Sequence, residues 1–197
     1  TCDGVHRGQS ALLKQLCERG FPVVLTFENH PAEVVRPASV PPRLCTVAHK
    51  LKLLEEAHMG ATVLLKFTPE IAVQSAEDFL QQVRRSIPFE RLLLGPDATL
   101  GKDKHGDQKR LQNLSQEFHF RLEYTPEYLY EGAKVSSSLI RQRICEGDLI
   151  AAEKLLGRKY SIYAPLQTGA GLGKTIGFPT LNLLVDGLCL PPLGVYA

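Results

Sequence analysis

Apolar positions along the first part of the chain alternate between two spacings. Between Ser10 and Arg19, Leu12, Leu13, Leu16 and Cys17 recur at helical intervals, and Gly20 is a natural stop. Phe21 to Phe27 is a short apolar run rich in strand-forming residues. Thr46 is placed to cap a helix with Leu51 and Leu54 on one face, ending at Gly60. Ala61 to Phe67 reads as a buried strand. Ser75 and Asp78 have the spacing of a capping box, with Asp in place of the usual Glu or Gln, ahead of Phe79, Leu80 and Val83. Arg91 to Gly95 is the next strand, Asp107 to Phe118 a helix, and Phe120 to Tyr124 a further strand. Continuous apolar strands between amphipathic helices predict an α/β fold with a parallel sheet covered on both faces. Such sheets bind ligands beyond the carboxyl ends of their strands, which directs attention to the loops after Phe27, Phe67, Gly95 and Tyr124.

The pattern changes after Val135. Ser137 to Glu146 and Leu149 to Leu156 predict two consecutive helices separated by Gly147 and Asp148, with Gly157 closing the second. From Lys159 onward the chain is strand-like and rich in glycine turns, so a domain boundary is expected there, dividing residues 1–157 from the start of a β domain in 158–197. The composition, 44% hydrophobic and 22% charged, is that of a globular protein. A net charge of +2 gives no reason to expect a nucleic-acid partner. No apolar run is long enough to span a membrane, and charged residues interrupt the beginning of the chain, so neither a membrane partner nor a signal peptide is expected. The five cysteines are scattered without metal-ligand spacing, which predicts free thiols in a reducing cytoplasm.

Three segments carry candidate chemistry. Asp3-Gly4-Val5-His6-Arg7-Gly8-Gln9 runs into the first helix. Glycines there permit close approach of backbone to a phosphate, with side-chain donors and a helix N-terminus behind them. Taken singly it is also a plain surface turn. Ser136-Ser137-Ser138-Leu139-Ile140-Arg141 places hydroxyls at a helix start and a guanidinium one turn later on the face of Ser137. Taken singly, simple capping is the favoured reading. Thr168 to Thr175 ends in Gly-Lys-Thr, but the first glycine of a Walker A loop would fall on Thr168, and Lys174 takes the third glycine of a GxGxxG. His49, His58, His105 and His119 read as surface or core residues.

The first two segments together are the paired signatures of HIGH-type nucleotidyltransferases. Asp3 to Leu13 resembles the FDGVHRGHxxLL of bacterial bifunctional riboflavin kinase/FAD synthetases. Leu25 to Pro31 resembles their LTFDPHP, Phe67 to Glu70 their FTPE, Gly95 to Asp107 their GxDFxFGxxxxGD, and Ser136 to Arg141 their ISSTxIR. Gly169 to Asn182 is similar to their GxGxGxxxGFPTAN kinase entry loop. The resemblance implies a Rossmann-like nucleotidyltransferase domain followed by the beginning of a β-barrel riboflavin kinase domain. It implies transfer of the adenylyl group of ATP to FMN, giving FAD and pyrophosphate with Mg2+, and phosphorylation of riboflavin by the full-length kinase domain.

By the same resemblance, His6, Gln9 and Arg141 are expected to be catalytic, with Asp3, Gly4, Gly8, Asp97, Ser136 and Ser137 on ATP. His30 and Pro31 would meet the flavin. In the second half Gly169, Gly171, Gly173, Lys174 and Thr175 would cover ATP phosphates, and Thr180 and Asn182 would hold magnesium and nucleotide. The sequence departs from the family where Gln9 replaces the second histidine of HxGH, where Ala98 and Leu100 replace phenylalanines, and where Glu28 and Asn29 precede His30. The strand leading into the glycine turn and the later part of the barrel are expected to belong to a longer chain, and without that strand its two sheet neighbours would lack a ladder partner. Two alternatives stay open: a non-catalytic nucleotide- or flavin-binding relic, and another HIGH-type nucleotidyltransferase.

Overall fold

The structure, a computed structural model, describes residues 2–169, 177 and 180–196. The chain begins with α1 (Arg7–Cys17), β1 (Val23–Phe27), α2 (Ala32–Val35), α3 (Val47–Glu56) and β2 (Ala61–Leu65). It continues through α4 (Pro69–Ala72), α5 (Ala76–Ser86), β3 (Arg91–Leu94), α6 (Gln108–Glu117) and β4 (Arg121–Tyr124). A hairpin of β5 (Leu129–Tyr130) and β6 (Ala133–Lys134) leads into α7 (Ser137–Cys145), α8 (Leu149–Leu156), β7 (Leu166–Gln167) and β8 (Asn182–Leu183).

The helix starts follow from side chains that satisfy the free N–H groups of a first turn. Thr46, Ser75, Asp107, Ser136 and Asp148 each accept a backbone N–H of the helix they precede. Ser75 also donates to the Asp78 carboxylate at 2.7 Å, so aspartate serves in the capping-box position. Gly157 ends α8 at φ +81, a left-handed cap that costs glycine no steric penalty. α3 differs from expectation. Its inward face carries Leu53, Leu54, His49 and Lys50, while Leu51 is half exposed, because the core lies against the 50/53/54 stripe and not the 51/54 one.

The sheet differs from the single one expected. β1 pairs with β2 in parallel, Val23 opposite Ala61, and β3 with β4 in parallel, Arg91 opposite Arg121. Among the described residues no ladder joins the two pairs, so β1 and β3 each have a partner on one side only. The residues at the glycine turn, with Cys2, Gly4 and Val5 all at positive φ, are not extended and cannot serve as a strand between them. Arg19, just beyond α1, and Arg91 both pair with Glu123, which fastens α1 to β3 and β4.

Three apolar clusters support this frame. Leu13, Val24, Leu53, Leu54 and Val5 join α1, β1, α3 and the glycine turn. Ala76, Leu80, Leu111, Leu114 and Phe120 join α5 and α6 to β3 and β4. Ile140, Ile144, Ala152, Leu155 and Leu156 pack α7 on α8, together with Leu44 and Cys189. Leu44 and Val5 are buried in different clusters, and the glycine turn lies where those clusters meet.

Candidate active site

The turn before α1 is built from two successive residues in the left-handed region, Gly4 at φ +86 and Val5 at φ +40. At Gly4 glycine has two reasons to be present: the positive φ, and a Cβ that would lie 2.8 Å from Leu44 Cδ1. A β-branched residue at positive φ, as Val5 is, persists only where surrounding contacts over-determine it. The turn delivers His6 to the N-cap of α1. His6 Nδ1 accepts the Gln9 N–H at 3.4 Å, and the Gln9 side-chain oxygen accepts the His6 N–H at 3.1 Å. With Nδ1 accepting, the ring proton sits on Nε2, which leaves one N–H donor free of the cap. Burial, and beyond it the nearby Arg158 and Arg141, outweigh Asp3 and push the imidazole pKa down to about 4. His6 is therefore a neutral donor near pH 7. Its ring lies over Gly8, where a Cβ would come within 3.4 Å of it.

Asp3 is the hub of the cluster. Its two carboxylate oxygens accept the Leu44 N–H, each at 3.1 Å, and the Cys45 thiol donates to the same group. Arg141 from α7 forms a buried ion pair with it. The Asp3 carbonyl accepts the Ser137 hydroxyl at 3.0 Å. Asp3 and Arg141 thus hold each other, and Arg141 Nε is also donated to the Pro42 carbonyl at 2.6 Å. The pair fixes α7 against the glycine turn. Ser136 is the plain cap of α7, accepting the Leu139 N–H at 3.2 Å. Burial, with Asp3 adding to it, pushes the Cys45 thiol up to about 11.

His30 stands close to this cluster in the loop after β1. Its Nδ1 accepts the Ala32 N–H at 3.1 Å, and its backbone N–H goes to Glu33 at 2.9 Å. Burial and then Arg141 lower its pKa, so it too favours the neutral form with Nε2 protonated. Pro31 occupies the N-cap position of α2. Asn29 bonds the Phe67 backbone in both directions, at 2.7 and 3.0 Å, which locks the loops after β1 and β2 together. A small cleft is bounded by Asp3, His30, Arg43, Cys45 and Lys50. Lys50 is buried and donates to the Phe27 carbonyl at 2.6 Å, holding α3 to the carboxyl end of β1.

Other expected site residues lie elsewhere. Asp97 is exposed and pairs with Lys134 of the hairpin, two residues before Ser136. Gly169 lies against the Asn182 amide, where a Cβ would come within 2.1 Å of Nδ2; Asn182 and Thr180 are exposed. Gly171, Gly173, Lys174 and Thr175 fall outside the described residues. Thr180 and Asn182 offer hard, neutral oxygen donors, which suits Mg2+ sharing its coordination with phosphate oxygens and water. A wider cavity of about 560 Å³ opens between the starts of α5 and α6, lined by Lys102, His105, Lys109 and Arg110 among others. Its charges are exposed, Arg110 is paired with Glu77, and it shares no lining residue with the Asp3 cluster.

Two residues to which the sequence reading gave no role belong to the cluster, although Arg158 closes a Leu155-Leu156-Gly157-Arg158 segment that resembles the same family. Lys50 is one. Arg158 is the other: its guanidinium donates to the Gly4 carbonyl at 2.7 Å and to the Val5 carbonyl at 3.2 Å. Nothing in the local spacing points to these roles, since Lys50 reaches the Phe27 carbonyl and Arg158 the glycine turn only through the tertiary fold.

The chain is similar to known proteins along nearly its whole length. Residues 1–139 match the FAD synthetase family and residues 156–197 the riboflavin kinase family. The chain is 34% identical to the bifunctional riboflavin kinase/FMN adenylyltransferase of Escherichia coli K12, over 99% of this chain and 64% of that protein. It is 33% identical to the protein of the same name from Haemophilus influenzae, over 99% of this chain and 65% of the relative. The chain therefore spans a little under two thirds of the length of these relatives. A solved structure described as a macrolide-efflux protein from Streptococcus pneumoniae superposes with a TM-score of 0.79 at 29% identity, covering 96% of this chain and 64% of that one. Among the described residues, no helix is long and apolar enough to cross a membrane. With most of its length matched by one family and nearly all of it aligned to bifunctional relatives, the chain belongs to the FAD synthetase family.

Proposed function

We propose that the cluster around Asp3 is the nucleotide end of an FMN adenylyltransferase site. The reaction is ATP plus FMN giving FAD and pyrophosphate. The FMN phosphate attacks the α-phosphorus of ATP in line, with no covalent enzyme intermediate, so catalysis is positioning and charge stabilisation. The observation that carries the reading is the buried Asp3–Arg141 pair, which brings the start of α7 to the glycine turn that caps α1. Two helix N-termini and a neutral imidazole donor then converge on one place, an arrangement suited to phosphoryl oxygens. In this reading His6 Nε2–H donates to a phosphate oxygen, Gly4 and Gly8 allow close approach, and Ser137 and Arg141 set the opposing wall. His30 and Pro31 face the flavin side. The two matched families support a division into a Rossmann-like adenylyltransferase domain, 1–157, and the beginning of a β-barrel riboflavin kinase domain, 158–197. There Thr180 and Asn182 would hold Mg2+, which supplies charge neutralisation between ATP phosphates when bound.

The test is direct. The protein is incubated with ATP, FMN and Mg2+, and FAD and pyrophosphate are quantified. FAD is expected in equal amount to pyrophosphate, and His6→Ala is expected to lower turnover on the order of 100-fold. A second reading, a non-catalytic binder, is favoured by one observation: Gln9 spends its side-chain oxygen on the His6 N–H. Binding of ATP and FMN without FAD formation would select that reading.

A further inference from the structure

Arg158 follows the left-handed cap of α8. Arg7, the first residue of α1, packs on that cap: a Cβ at Gly157 would sit 3.1 Å from Arg7 Cγ, and Arg7 Nε donates to the Lys154 carbonyl at 2.6 Å. The end of α8 is thereby fastened to the start of α1, and the next side chain is delivered to the glycine turn. The Arg158 guanidinium bonds the carbonyls of Gly4 and Val5, the two successive residues with φ of +86 and +40. Among the described residues it has no carboxylate partner, and its buried Nε has no hydrogen-bond partner. A half-buried cation without a counter-ion is costly, and so is a β-branched residue in the left-handed region. The structure places the two costs together, one group answering the other.

We propose that Arg158 is a positioning residue of the adenylylation site, fixing the strained Gly4–Val5 turn so that His6 presents its free N–H to substrate phosphate. This rests on the adenylyltransferase reading of the same site. The fork geometry matters: two N–H groups in a fixed plane can hold two adjacent carbonyls, whereas a lysine ammonium can hold them only as a point charge. Removing the clamp leaves the His6 cap of α1 intact but frees the turn that aims it. A misplacement of about 1 Å costs on the order of 100-fold in rate.

The test uses Arg158→Met and Arg158→Lys in the intact protein, with thermal melts, steady-state kinetics of FAD formation, and an NMR titration of the His6 ring. Charged groups facing His6 are Asp3 from the turn, Arg141 from α7 and Arg158 itself. Arg158→Met is expected to lower kcat roughly 100-fold with KM for ATP changed less than about threefold. The His6 midpoint is expected to rise from about 4, since a cation is lost and the turn is better hydrated. Arg158→Lys, the variant retained if the methionine form does not fold, is expected to keep the low midpoint but not full turnover. Unchanged kcat in either folded variant overturns the proposal, as does a loss of kcat that follows melting temperature alone with the His6 midpoint unmoved. If the parent protein forms no FAD while the midpoint still rises in Arg158→Met, the adenylyltransferase reading fails and the clamp of Arg158 on the turn stands.

Discussion

His6 and Gln9 are engaged with each other before any substrate arrives, and this sets what each can do. A histidine whose folded pKa is near 4, against 6.5 unfolded, binds no proton in the native state across that interval while the unfolded chain does. Its contribution to stability is complete above pH 6.5 and is lost as pH falls toward 4, by up to about 3 kcal/mol from this group. Urea unfolding at pH 7 and pH 5 should show the drop, and His6→Asn should flatten it. Gln9 has the complementary role. Gln9→Ala removes the acceptor for the His6 N–H and is expected to cost about 1 kcal/mol, readable as a shift in urea midpoint. The glycine turn and the imidazole were legible as sequence because glycine and histidine before a helix have few uses. That the ring itself caps the helix was not, because a histidine N-cap has no spacing of its own beyond the Gln three residues on.

At the scale of elements, helix starts were the most readable part of the chain. Thr46, Ser75, Asp107 and Ser137's neighbour Ser136 each cap a helix because a short polar side chain in extended backbone can reach an N–H two or three residues on. The short pieces escaped: α2, α4 and the β5–β6 hairpin span too few residues for any period to register. So did the partner of Arg141. Its position four residues after Ser137 fits a helix face turned to ligand, and the same face is turned to Asp3. Asp3→Asn should leave Arg141 buried without a counter-ion and destabilise by roughly 3–5 kcal/mol in chemical denaturation. Adding Arg141→Met should recover part of that loss, whereas two independent sites would lose additively.

For the molecule as a whole, the alternation of strands and helices predicted parallel strands, as β1 with β2 and β3 with β4 are, but neither those pairings nor their separation into two ladders. Periodicity reports which residues are buried; it does not report which strand lies beside which. The same limit hid the long-range clamp, since Arg158 meets Gly4 only after α7 and α8 have packed. Gly157 is the hinge of that contact. Gly157→Ala puts a Cβ at φ +81 and against Arg7, and should cost about 1–2 kcal/mol. By tilting Arg158 off the turn, it should also lower FAD formation by more than the loss of folded protein, which parallel melts and turnover numbers would resolve.

The reach of Arg158 also bears on any attempt to dissect the chain. It lies within the stretch matched to riboflavin kinase, yet both of its carbonyl partners lie within the stretch matched to FAD synthetase. A scissile point after Gly157 would respect the change in sequence texture and retain every glycine, serine and histidine of the first module. It would also discard the guanidinium that the first module uses. Moving the cut past Tyr160 would restore the guanidinium and still discard Cys189, which is buried in the α7–α8 cluster and donates its backbone N–H to the Arg43 carbonyl, so the first matched stretch leans on the second at more than one place.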